Sequence, residues 1–287
     1  MKTSHSERAL RVEADEALSR SMLYGTLSLG LHAPTAEIVG RLQSMRVANA
    51  ILEAARFLES GDAQAREAAG DGAGDDRAAG STDDFPRLAH RVRELTTTLS
   101  SVELDSLQAL YGSLFGHTTR GRVCPYEAEF GSDSPFQQTE RLANLAGFYE
   151  AFGLIPSSLE RERVDHIGCE LEFLEFLSRK EAYALSPLDA DMLRETRKAT
   201  RLFLRDHLGR FGRAFARMLA REDPEGLYGK LADMLFDFIT MECRRVGVPA
   251  GPSYLRLRST QEDALPMQCS VGCGSECEVS DDSIGET

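Results

Sequence analysis

The apolar residues of this chain recur every three or four positions. Leu88, Val92, Leu95 and Leu99 fall at i, i+4, i+7 and i+11. Leu142, Leu145, Ala146 and Tyr149 follow i, i+3, i+4 and i+7. Leu204, Leu208, Phe211, Phe215 and Met218 extend one stripe over four turns, and Leu227, Leu231, Met234, Leu235 and Phe238 make another. Each series lines one face of a 3.6-residue helix. No run alternates apolar and polar residues between hairpin turns, so a sheet is not expected. The pattern predicts an all-α bundle of roughly nine to eleven helices.

Three segments interrupt it. Residues 60–86 are rich in Gly, Ala and Asp and lack apolar anchors. Such a stretch cannot bury enough surface to offset its ordering entropy, which predicts a flexible insertion. Residues 117–136 form a long loop with two prolines, a length usually reserved for function or disorder. "LIPSSLERERV", residues 154–164, is a charged connector between two strong helical patterns and is the expected hinge. Two helical subdomains follow: 1–155, and 167–252 beyond a hinge at 156–166. A polar, acidic, Cys-containing tail is expected over 253–287.

Charge excludes some functions. The chain carries 33 Lys+Arg against 46 Asp+Glu, a net −13. It repels phosphate backbones, so nucleic acid is not an expected partner and a basic peptide segment is favoured. No apolar run approaches the roughly 20 residues of a membrane span, so stable membrane insertion is not expected. The N-terminal "MKTSHSERALRVEADEAL" has no apolar h-region, which predicts a cytoplasmic location.

Candidate chemistry centres on "RVDHIGCELEFLEFL", residues 163–177. Asp165 precedes an apolar-periodic run and reads first as an N-cap, its carboxylate at the positive end of a helix. His166 falls near the first helical position, where side chains tend to be exposed. A catalytic pair would need a nucleophile or a metal. The chain has no G-x-S-x-G elbow, no H-E-x-x-H, no phosphate-binding glycine loop, and its other histidines stand alone. Glu170, Glu172 and Glu175 read as a solvated, dipole-matched face. Cys124, Cys169 and Cys243 read as small buried hydrophobes. Cys269, Cys273 and Cys277 form C-x3-C-x3-C, where Gly272 and Gly274 disfavour a helix. In a loop they could hold a soft metal, supply three ligands to an iron–sulfur cluster, or form a redox-sensitive tail.

Five stretches in order resemble the TorD/DmsD/NarJ-type family of cytoplasmic molybdoenzyme chaperones, over about residues 19–251. "RSMLYGTLSLGLHAPT" is similar to the family's first helix. "LQALYGSLFG" and "CPYEAEFGSD" resemble its Y-x-x-L-F and P-Y-E-S elements, with Ala128 where Ser is common. "QQTERLANLAGFYEAFGL" matches the next helix. "ERERVDHIGCELEFLEFL" resembles E-R-P-D-H-x-x-x-E-L-E-F-M, with Val164 in place of the proline. "FLRDHLGRFGRAFARML" resembles a helix that usually carries tryptophan where Phe211 stands.

The resemblance implies an all-helical fold of two subdomains and no enzymatic activity. The partner would be the apo catalytic subunit of a molybdoenzyme, or its twin-arginine leader, held until cofactor insertion. Asp165 and His166 would lie on the hinge surface that receives the client, with Tyr126, Glu127 and Glu170 beside them. An exposed carboxylate and a pH-sensitive imidazole there would suit an arginine-bearing peptide. No cofactor is required. The alternative is a metal- or iron–sulfur-binding redox or assembly protein that uses Cys269, Cys273 and Cys277.

Overall fold

The computed structural model describes residues 2–68, 88–116, 121–131, 135–155, 162–186 and 188–258. Among them the fold is all-α, as the periodicity predicts. The helices are α1 (Lys2–Leu31), α2 (Ala36–Leu42), α3 (Met45–Ala68), α4 (Leu88–Leu99), α5 (Leu104–Phe115), α6 (Pro135–Ala151), α7 (Ile167–Leu185), α8 (Ala190–Asp206), α9 (Leu208–Glu222) and α10 (Leu227–Arg245). One 3-10 turn, Glu127–Glu129, precedes α6. Extended pairing among the described residues is confined to two isolated bridges, Tyr126 with His166 and Phe130 with Leu257.

Helix α1 is the spine. It lies along α7 and also packs on α3; α4 joins α3 to α10, and α8 links α7 to α9, which pairs with α10. The apolar spacing explains this order. Leu23, Tyr24, Leu27 and Leu31 of α1 are fully buried, as are Leu171, Leu174 and Leu177 of α7. Each such side chain contributes about 1.5–3 kcal/mol on leaving water. Leu174→Asp would strand a carboxylate in this interface and break it. Tyr24 stacks edge-on against Phe238 of α10 and donates to Glu242 at 3.0 Å. The hydroxyl is thereby satisfied inside the core.

Buried ions in the spine are paired. Arg20 donates to Glu181 at 2.8 Å, Arg197 donates to Glu181 at 2.7 Å, and Arg245 grips Glu242 with two bonds of 2.8 Å. Helix starts follow their caps: Thr35 accepts from Ile38 N–H, and Asp189 accepts from Met192 N–H. Helix α6 stops at Gly153, whose φ of 71° suits glycine, and Leu154 N–H returns to the Tyr149 carbonyl at 2.9 Å.

The structure corrects four expectations. The stripe from Leu204 to Met218 is two helices. The chain breaks at His207, whose φ of −121° and ψ of −106° end α8 and start α9. A 3.6-residue stripe can continue across a corner when both helices face one core, so periodicity alone hides the break.

The expected insertion at 60–86 is helical as far as Ala68, and Asp62 within it pairs with Arg244 of α10 at 2.7 Å; residues 69–87 lie outside the described residues. The tail does not begin at 253. Gly131 N–H donates to Arg256 carbonyl at 2.8 Å, and the compact body runs to Leu257. Lastly, residues 1–257 cluster as one unit, with α1 and α7 packed together from either side of the expected hinge. Residues 156–161 of that hinge lie outside the described residues, as do Cys269, Cys273 and Cys277.

Candidate functional site

The junction ahead of α7 is built by two crossing segments. Residues 121–131 run beside residues 162–167. Glu127 N–H donates to the Asp165 carbonyl and Ile167 N–H donates to the Pro125 carbonyl, each at 2.9 Å. Proline has no N–H to offer, so the pairing uses its carbonyl alone. This bridge fixes Tyr126 opposite His166.

Asp165 is not the cap. Its carboxylate turns back, accepting two Arg163 bonds of 2.9 Å and the Ala128 N–H at 3.1 Å. Burial moves this carboxyl above its usual range, against the pull of Arg163. The cap is His166. Its backbone is extended, and its Nδ1 accepts the Gly168 N–H at 3.0 Å. Asp165 and His166 are each only 1% exposed. The doublet expected on the surface is sealed inside, because the 121–131 segment covers it. Burial, and then His32, push the His166 imidazole down to about 3, so it stays neutral at physiological pH. The expected pH-sensitive imidazole is not there.

Glu127 is fully buried and acts as a hub. His207 Nδ1 lies 2.9 Å from its Oε2, Arg210 donates to Oε1 at 3.2 Å, and Arg141 approaches at 3.5 Å. Asn144 Oδ1 holds the far side of the His207 ring at 2.9 Å. Glu127 thus ties the 3-10 turn to the α8–α9 corner and to α6. Glu170 is also fully buried, and neither of its carboxyl oxygens is hydrogen-bonded. Burial first, then Glu127 and Asp165, hold it well above the usual carboxylate range. Burial thus favours its protonated form, and it is not part of a solvated face.

Tyr126 is the one member of the expected set with surface to offer. Its ring meets His166 edge-on at 5.6 Å, carries Arg163 at 4.4 Å, and its hydroxyl donates to Glu162 at 3.0 Å. The structure therefore brings Tyr126, Glu127, Asp165, His166 and Glu170 together, but buries four of the five. Sequence reasoning missed their partners. His32 lies 5.4 Å from His166 and His207 sits on Glu127, though both look solitary along the chain. Only long-range pairing reveals them.

A groove of about 430 Å³ opens beside the junction, between the end of α6 and the exposed face of α7. Leu154, Ile155 and Phe176 supply apolar wall, and Glu162, Glu172 and Glu175 supply acid. Ile155 is 89% exposed. Burial raises the Glu175 carboxyl, with Arg179 opposing. A second cavity, among Leu29, His32, Leu95 and Tyr228, holds about 20 Å³ and is a packing void.

No helix among the described residues is long and apolar enough to cross a membrane. Residues 83–217 match the model of the family described as nitrate reductase delta subunit. The matched span contains α4 through most of α9, and with them the whole junction. Members of that family are maturation chaperones for molybdoenzymes, not enzymes. Searches of curated proteins and of solved structures give no match.

Proposed function

We propose that the chain is a cytoplasmic, non-catalytic chaperone of the TorD/DmsD/NarJ type. It holds the apo catalytic subunit of a molybdoenzyme, through its twin-arginine leader, until cofactor insertion is complete. The observation that carries this reading is the acid-rimmed apolar groove beside the junction. Leu154, Ile155 and Phe176 offer area to an apolar stretch, while Glu162, Glu172 and Glu175 outnumber Arg179 and suit adjacent arginines. Steering by the net −13 charge speeds encounter with a basic segment.

The Asp165–His166 doublet serves this surface from beneath. It fixes the backbone that presents Tyr126 and Glu162, and Glu127 anchors the same layer. Tyr126 is the member that reaches a client directly.

Titration calorimetry of the full chain with a peptide carrying paired arginines before an apolar stretch tests the reading. Glu172→Lys with Glu175→Lys should weaken binding about tenfold or more, as each lost charge-assisted contact removes about 1.5–3 kcal/mol less solvent screening. Replacing the paired arginines by glutamine should do the same. Binding that ignores both changes rules this groove out.

A further inference from the structure

The end of α1 and the start of α7 meet under the junction. Ser28 donates to the Gly168 carbonyl at 2.9 Å, which holds the two helix ends together. His32 follows immediately after α1, and its ring lies 5.4 Å from that of His166. Cys169 stands three residues after His166, on the same side of the first turn of α7. One donor atom from each of His32, His166 and Cys169 lies within 4.8 Å of the others.

Gly168 gives the cluster its opening. A Cβ at that position would lie 2.7 Å from His32 Nε2 and 3.0 Å from His166 Nδ1. Any side chain at that position would crowd both nitrogens. Gly168 therefore lets both imidazoles approach the start of α7 closely.

We propose that His32, His166 and Cys169 bind one divalent transition-metal ion of the zinc class. Two imidazole nitrogens and one thiolate suit Zn²⁺ or Co²⁺ and exclude the oxygen-seeking Mg²⁺ and Ca²⁺. Three protein ligands leave a fourth position for water. Metal–ligand lengths of about 2.0–2.3 Å place tetrahedral ligand atoms roughly 3.3–3.6 Å apart, so the cluster closes by about an ångström on loading.

Binding releases the Cys169 thiol proton to solvent. His166 Nδ1 exchanges the Gly168 N–H for the ion, giving up a cap bond typically worth about 1 kcal/mol. The thiolate brings negative charge to the helix start, where the dipole favours it. Cys169 also lines the groove, so an ion here would couple that groove to the packing of α1 on α7. The site stands whether or not the groove takes a leader peptide.

The test uses the full chain with Cys269, Cys273 and Cys277 all replaced by serine, which removes the competing thiols of the tail. The metal-free protein is titrated with Co²⁺ alone and then with Zn²⁺. The expected result is one Co²⁺ per chain, with a thiolate-to-cobalt charge-transfer band and tetrahedral ligand-field bands that Zn²⁺ abolishes. Cys169→Ser should remove the charge-transfer band, and His32→Ala should weaken binding about tenfold or more. Both residues are half-buried, and circular dichroism verifies that each variant is folded. His166 is left intact because it caps α7. Absence of stoichiometric Co²⁺ binding by the parent overturns the proposal. So does a charge-transfer band that survives Cys169→Ser, which would put the ion elsewhere.

Discussion

Asp165→Ala should unfold the protein more readily rather than merely blunt its binding. The carboxylate is 1% exposed and accepts three hydrogen bonds, two from Arg163 and one from Ala128 N–H. Alanine leaves the Ala128 N–H buried and unpaired, which costs about 1–3 kcal/mol. Losing the Arg163 bonds adds about 1 kcal/mol, since the Arg163 side chain is 33% exposed and can rehydrate. The expected destabilisation is therefore about 2–4 kcal/mol. For a body of this size that is a drop of about 4–16 °C in melting temperature. Asp165→Asn keeps an acceptor for Ala128 N–H and should lose about half as much. Urea denaturation followed by far-UV circular dichroism measures both. The reasoning fails if alanine costs less than about 0.5 kcal/mol. It fails equally if an alanine variant of undiminished stability no longer binds client, because the carboxylate would then be a contact and not a strut.

Glu127→Ala should cost about 3–5 kcal/mol in the same assay, since it leaves His207, Arg210 and Arg141 facing a void where a charge stood. Gly209→Ala should destabilise by more than about 1 kcal/mol, because its Cβ would clash with the Leu204 carbonyl oxygen at the α8–α9 corner; an unchanged urea midpoint would show that the corner yields. Stability should also fall in acid through Glu181 and Glu242. Burial raises both carboxyls, but Arg20 and Arg197 at Glu181, and Arg245 at Glu242, outweigh it and hold the folded values below 4.5. The unfolded chain then binds more protons, so this contribution is present above about pH 4.5 and is lost as pH falls through the folded values. Urea midpoints from pH 6 to pH 3 measure it, and Arg245→Gln should flatten the slope.

The helical class was legible because burial on one side of each helix leaves a 3.6-residue trace in Leu88–Leu99 and Leu227–Phe238. The corner at His207 was not, because both flanking helices face one core and the stripe runs straight through it. The cluster of Tyr126, Glu127, Asp165, His166 and Glu170 was legible only through family resemblance, which brought two distant stretches together. Its burial was not legible. A polar run ahead of an amphipathic helix looks solvent-facing until the segment that covers it, residues 121–131, is seen in place. The identity of the cap depended on one backbone turn, which shifts the helix start by a single residue. His32 could not have been found, since nothing in "LGLHAPT" points to a partner at 166.

The short 3-10 turn is sewn along both margins. Tyr126 is stitched to the start of α7, and Phe130 is stitched to Leu257 near the far end of the compact body. Residues that are remote along the chain thereby share one seam. Trimming the chain before Leu257 would unpick one margin of that seam and loosen the other, so damage near the C-terminus would be felt ninety positions upstream, at the entrance to the groove.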